Sequence, residues 1–408
     1  MRILPFIYCF CFFPALLLAQ DEAALQPGLW RVVLQLPGGE APFHLDLDFK
    51  RGQWSGAIIN GEERILLDEI RVEDDSLVIQ LHIFDAALSG KIISKGQIEG
   101  HWLKNGYQSQ ARVPFRALWG QKERFAPSEN GPEPDFSGSW SVLFQDKEGK
   151  SYPAVGIFKQ KGSLLRGTFL TSTGDYRYLE GQVEGQEMRL STFDGNHGFL
   201  FRARQAQPGQ MEGEFWSGTW SYETFTGQRN DSARLPDAES LTFLKEGYET
   251  LVFSFPNLER QMVSLQDEKY RDKVVIVQIF GSWCPNCMDE TAFLAEFYKK
   301  NRAKGLEIIA LAYERSPEFE QAKARLEKLK VRYAIEYDLL VAGINNKLEA
   351  AQTLPMLNAV LAFPTTIFID RQGKVRRIHT GFEGPGTGAY YTRFVERFRN
   401  FVQQLLKE

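Results

Sequence analysis

Polar and apolar residues alternate over much of the first half of the chain. Phe43-His44-Leu45-Asp46-Leu47-Asp48-Phe49 and Leu77-Val78-Ile79-Gln80-Leu81-His82-Ile83 are short runs of this kind, and Gly38-Gly39, Asn60-Gly61, Asn105-Gly106 and Asp194-Gly195 punctuate the series. A two-residue period between turn pairs predicts β-strands with one buried face, and the reading is all-β from residue 29 to 222. The stretch also repeats itself. Gly28-Leu29-Trp30 matches Gly138-Ser139-Trp140, Ser55-Gly56-Ala57-Ile58 matches Arg166-Gly167-Thr168-Phe169, Leu77-Val78-Ile79 matches Met188-Arg189-Leu190, and Glu99-Gly100 matches Glu212-Gly213, at offsets of 110 to 113. The pattern predicts two related meander or barrel-like units, over 21–125 and 135–235. Each is expected to have about six short strands, with glycine at the bends and Trp or Phe inside. The Pro- and Gly-containing connector 126–134 separates them. Trp54, Trp102, Trp119, Trp216 and Trp220 are expected to fill cores rather than line a ligand cavity.

From residue 251 onward the pattern changes. Val274–Phe280 is an apolar, β-branched run broken only by Gln278, as expected of a central strand covered on both faces. Phe293, Leu294, Phe297 and Tyr298 recur at a helical period within 287–300. A second buried strand follows at 306–312, then a polar helix at 318–330. Strands at 365–369 and 374–379 are joined by Asp370-Arg371-Gln372-Gly373, and 391–406 is an amphipathic helix with Phe394, Val395, Phe398, Phe401, Val402 and Leu405 on one face. Residues 337–362 are predicted to be an insert with helical turns at 347–352 and 355–361. The region 250–408 is therefore an α/β sheet with helices on both faces.

The first twenty residues read as a secretory signal: Arg2, an uncharged run rich in Phe and Leu, and a cleavage region near Ala19-Gln20 before Asp21-Glu22. An uncleaved membrane anchor is the alternative, since the run approaches spanning length. Signal removal takes Cys9 and Cys11 with it and leaves only Cys284 and Cys287. One close pair in an exported chain of 408 residues is not a disulfide-stapled scaffold. Net charge is −4, which gives no basic surface for nucleic acid. His44, His82, His101 and His197 are scattered without metal spacing.

The pair lies in Phe280-Gly281-Ser282-Trp283-Cys284-Pro285-Asn286-Cys287, where a buried strand ends and a helix begins. Free amide groups and the helix dipole favour negative charge there. A thiolate at Cys284 is stabilised, and its pKa is expected below the free value of about 8.5. The three-residue step puts Cys287 on the same face one turn on. Cys284 would attack a disulfide and Cys287 would resolve the mixed disulfide. A zinc site would need two further ligands, and a staple closing so short a loop removes little chain entropy.

The segment resembles the thioredoxin superfamily, in particular its TlpA-like exported branch, which includes the reductases of cytochrome c maturation. The resemblance covers 255–408 and rests on Trp283 before the pair, Cys-Pro-x-Cys at a helix start, and Phe363-Pro364-Thr365-Thr366 ahead of a hairpin. It implies a thioredoxin fold, and a cis Pro364 facing the Cys pair. It also implies a substrate site formed by Trp283, Pro285, Phe363, Pro364 and Thr365, and a proton-handling role for Glu290. Gln278 stands where thioredoxins keep a buried Asp, which speaks against acid–base work from that strand; Asp289 is expected to be exposed.

These readings give an exported thiol-disulfide oxidoreductase, periplasmic or in the envelope of a bacterium. It is expected to reduce protein disulfides without a cofactor beyond its own Cys pair, and to draw electrons from a membrane donor. The alternative is a binding protein that captures ligand or partner with the β repeats and uses the thioredoxin fold for docking. A peroxidase is the third reading; it usually needs a single peroxidatic Cys rather than a close pair.

Overall fold

Inward-facing positions two residues apart give each β unit its core. In β1 (Gly28–Leu36), Trp30, Val32, Leu34 and Leu36 are buried. The computed structural model describes residues 25–408 except 68, 82–83, 107–108 and 127–133, so the signal and most of the connector lie outside the described residues. β1 pairs antiparallel with β2 (Gly39–Lys50) and with β9 (Gln110–Trp119). Between them run β3 (Gln53–Asn60), β4 (Glu63–Leu66), β5 (Glu69–Glu73), β6 (Ser76–Leu81), β7 (Ala86–Ser94) and β8 (Gln97–Asn105), in the order β4-β3-β2-β1-β9-β8-β7-β6-β5.

The second sheet copies the plan. β10 (Gly138–Asp146) pairs with β11 (Ser151–Lys161) and β18 (Ser221–Arg229), as β1 does with β2 and β9. The intervening strands are β12 (Leu164–Thr171), β13 (Gly174–Asp175), β14 (Leu179–Glu184), β15 (Glu187–Phe193), β16 (Gly198–Gln207) and β17 (Gln210–Ser217). An added β11–β12 ladder closes this sheet into a barrel. Trp30 and Trp140 are both fully buried, and each indole N–H donates to the carbonyl four residues earlier, on Gln26 and Phe136, at 2.9 Å. Phe144, Phe169, Phe201, Phe215 and Phe225 fill the second barrel edge to face and stacked. The two sheets pack on each other through Phe43 and Phe193, whose centroids are 4.4 Å apart.

Two expectations change here. Among the described residues each unit has nine strands, not six, because pieces as short as β4 (4 residues) and β5 (5 residues) carry too little alternation to be seen. Trp119 and Trp220 are not core residues: they are 47% and 45% exposed. Trp119 donates to the Pro27 carbonyl at 3.0 Å, and Lys104 sits 4.9 Å above the Trp220 ring.

A short helix, α1 (Ala238–Leu241), and a hairpin of β19 (Ser254–Pro256) and β20 (Met262–Ser264) lead into the α/β part. Its sheet comprises β21 (Val274–Phe280), β22 (Leu306–Glu314), β23 (Asp338–Ile344), β24 (Thr365–Ile369) and β25 (Val375–Thr380), in the order β23-β22-β21-β24-β25. β21 to β23 are parallel, and β24 and β25 are antiparallel to their neighbours. All seven residues of β21 are buried, as a central strand with helices on both faces requires. The helices are α2 (Pro285–Asn301), α3 (Phe319–Arg332), α4 (Lys347–Thr353) and α5 (Ala389–Lys407). Phe293 and Phe297 of α2 meet Phe398 of α5 edge-on at 4.9 and 5.2 Å.

The C-terminal part is thus an α/β thioredoxin-like fold behind two all-β sheets. The predicted insert 337–362 is corrected in part: 338–344 is strand β23, the expected helical turn at 347–352 is α4, and 355–361 is not helical. The latter segment is instead tied to the linker, with Lys245 N–H donating to the Met356 carbonyl at 2.8 Å and Asn358 N–H to that of Phe243 at 2.9 Å.

Candidate active site

β21 ends at Phe280 and delivers the turn Gly281-Ser282-Trp283 to the start of α2. A buried carboxylate holds that turn: Glu314, at the end of β22, accepts from the Ser282 N–H at 2.9 Å and its hydroxyl at 2.6 Å. The Trp283 indole donates to the Tyr313 carbonyl at 2.8 Å, and its ring meets Phe363 edge-on at 5.7 Å. Cys284 is the N-cap residue and Pro285 the first residue of the helix, a position where the missing N–H costs nothing.

Cys284 is partly buried and Cys287 fully buried, both as free thiols. The Cys284 thiol lies 3.3 Å from the Phe363 carbonyl, and the Phe363–Pro364 peptide is cis. The Thr365 hydroxyl donates to the Ala362 carbonyl at 2.9 Å and fixes that loop. A hydrogen bond from Cys287 holds the Cys284 pKa below its ordinary value; the amides of Cys287 and Asn286 add to this, against burial. No amide meets full capping geometry at the sulfur, so their effect is that of oriented dipoles. Burial, followed by the bond to Cys284, pushes the Cys287 thiol well up. The pair is therefore split into one sulfur readily ionised and one that keeps its proton.

Glu290 lies one turn past Cys287 and is fully buried. The Thr366 hydroxyl donates to Oε1 at 2.5 Å and the Gln278 amide to Oε2 at 2.8 Å. Burial pushes its pKa up to about 7, with both hydrogen bonds pulling the other way. Its charge in turn raises Cys287. Gln278 thus supports Glu290 from beneath.

Asp289 departs from expectation. It is only 21% exposed and is bound by Arg177 of the β12–β14 region, with Nη1 at 2.6 Å and Nη2 at 3.2 Å. Arg177 also donates to the Pro285 carbonyl at 3.1 Å and pairs with Glu63 of the first sheet. Asp175 stands beside them, its carboxylate accepting from the Arg177 N–H at 2.6 Å, while two carboxylates, Glu63 and Asp289, share the guanidinium. Burial, reinforced by Glu63 and Asp175 and opposed by Arg177, pushes Asp289 up to about 7. Arg315, just past Glu314, donates to the Phe84 carbonyl at 3.0 Å and the Asn196 side chain at 2.6 Å, and lies 6.0 Å from the Trp283 ring centre. Glu314, Arg315, Arg177 and Asp175 carry no local motif and were not expected. Among the described residues, no cluster of His, Cys, Asp and Glu is arranged to hold a metal.

The Redoxin family model matches residues 233–392. The thiol-disulfide oxidoreductase ResA of Geobacillus thermodenitrificans is 30% identical over 129 residues, covering 32% of this chain and 66% of that protein. ResA of Geobacillus kaustophilus is 29% identical over 112 residues, covering 28% of this chain and 57% of that protein. The chain therefore spans less than two thirds of the length of either relative. A thiol:disulfide interchange protein of the thioredoxin family from Chlorobium tepidum TLS superposes with a TM-score of 0.30 at 18% identity, covering 40% of this chain and 98% of that one. The C-terminal part thus combines a thioredoxin-like α/β fold with a match to the Redoxin family model. In sequence it is similar to the thiol-disulfide oxidoreductases named ResA.

Proposed function

We propose that the protein reduces disulfides of polypeptide partners outside the cytoplasm, using Cys284 and Cys287. The observation that carries this reading is the split pair at the start of α2, with Cys284 lowered and Cys287 raised. The Cys284 thiolate attacks one sulfur of the partner disulfide; that S–S bond breaks and the leaving thiolate takes up a proton. Cys287, its proton passing to Glu290, then attacks Cys284 and releases the second partner thiol. Two electrons leave the pair, which becomes a disulfide, and a membrane dithiol donor restores it. Trp283, Pro285, Phe363, Pro364 and Thr365 form the seat for the partner chain. The relatives named as thiol-disulfide oxidoreductases support this assignment, and the apolar start of the chain supports export. The unit boundaries 21–125, 135–235 and 250–408 belong to the same proposal.

The test is to express Cys287→Ala in the native host and identify what is trapped on Cys284. Covalent protein adducts released by reductant are expected. Their absence, under conditions where the wild type cycles, contradicts protein disulfide exchange.

A further inference from the structure

One segment of the second barrel reaches the reactive sulfur's immediate surroundings. Residues 172–177 run from the end of β12 through β13. The Asn286 side chain, two residues past Cys284, donates to the Asp175 carbonyl at 3.2 Å. The Asp175 carboxylate accepts from the Gly384 N–H at 2.6 Å. Gly174 packs on the Asn286 side chain so closely that a Cβ has no room. A Cβ at Gly381 would lie 2.9 Å from the Ser172 carbonyl oxygen, and one at Gly386 would lie 2.8 Å from that of Arg177. Gly381 in turn donates to the Pro364 carbonyl at 2.9 Å, beside the Phe363 carbonyl that faces Cys284. The barrel segment therefore grips both the Cys-Pro-Asn-Cys turn and the loop beyond β25, with Arg177 anchored on Pro285 and Asp289 behind it.

The Trp283–Phe363 flank of the sulfur is also walled. Tyr313, whose ring lies 5.7 Å from Phe363, shares a 2.6 Å hydrogen bond with Thr353 at the end of α4. Cys284 thus lies between the barrel segment and the α4 insert. In-line attack requires the partner's sulfur and its flanking backbone to enter between these walls.

We propose that residues 172–177 are a specificity-determining wall that restricts Cys284 to disulfides carried on extended, unfolded chain. This rests on the exchange reading above. A single extended strand, about 5 Å from its neighbours when paired, fits a slot lined by loop backbone. A folded domain presenting a surface disulfide meets the exposed Thr173 tip first.

The test uses the reduced full-length protein and two probes: a short linear peptide dimerised through one disulfide, and a small folded domain dimerised through one surface disulfide. Wild type is expected to cleave the peptide dimer at least about tenfold faster, as the second-order rate constant of its single turnover. Asp175→Ala, which frees Gly384, is expected to bring the two rates to within about threefold. Thr173→Trp, at an exposed tip that tolerates bulk, is expected to widen the gap by at least about threefold. A ratio unmoved by both variants, or unmoved by Thr173→Trp if Asp175→Ala fails to fold, overturns the wall. Equal wild-type rates on the two probes overturn it as well. A wild type inert to both probes contradicts the exchange reading itself and takes this one with it.

Discussion

Replacing Glu290 with Gln removes a buried charge while leaving its hydrogen bonds available. Thr366 can still donate to the amide oxygen. Gln278 can turn its amide over, accept from the new NH2 and donate to Thr291 from the place its Oε1 now holds, 3.4 Å from the Thr291 hydroxyl. The difference between the proteins is then the titration of one carboxyl, raised from 4.5 to about 7 in the fold by burial. Between these values the folded state holds a proton that the unfolded state has lost, so stability falls as pH rises from 4.5 to about 7. Below the lower value both states are protonated and the term vanishes. A shift of about 2.5 units, at about 1.4 kcal/mol per unit, is worth about 3 kcal/mol. Wild type should therefore lose about 3 kcal/mol relative to Glu290→Gln between pH 4 and 8. Urea transitions followed by helical circular dichroism measure this. Among the described residues every α-helix lies beyond residue 237, so the signal reports the C-terminal part. A wild-type-minus-variant difference that stays flat across this pH range refutes the reasoning.

Two further outcomes follow from the same interactions. Arg177→Met leaves Glu63 and Asp289 without their shared cation. It should destabilise the fold by about 3–5 kcal/mol, and Asp289→Asn added to it should recover part of the loss, read from urea midpoints. Glu314→Ala strands the Ser282 N–H and hydroxyl and should cost about 1–3 kcal/mol in the same helical transition; an unchanged midpoint argues that the turn before Cys284 is held by other means.

What could be read from the chain alone was the part that is contiguous. Trp283, Cys284, Pro285 and Cys287 sit in one motif at a strand–helix junction, where residue type and spacing point to the redox pair; the cis Pro364 before the next hairpin comes only from the family resemblance. Glu290 is named only because the family resemblance implies a glutamate at that place; residue type and spacing alone suit a solvated helix-start glutamate as well. Arg177 could not be placed: the carbonyl it binds on Pro285 is 108 residues away, and nothing in residues 171–178 names a partner. The same long range explains why Asp289, polar and near a helix start, read as exposed. Strand β23 was hidden because a short apolar run after Asp338 suits an insert as well as a parallel edge strand. The kinship of the two β units was legible from Trp30 and Trp140, which each brace the entry of a first strand in the same way. The closure of the second sheet by β11 and β12 depends on non-local pairing that alternation does not encode.

The most direct test of the account follows alkylation of each cysteine separately, by mass, in the reduced protein across pH. Cys284 should react with a half-point below the free-thiol value of about 8.5, while Cys287 stays protected throughout. Equal reactivity of the two sulfurs, following the profile of a thiol in an unstructured peptide, would contradict it.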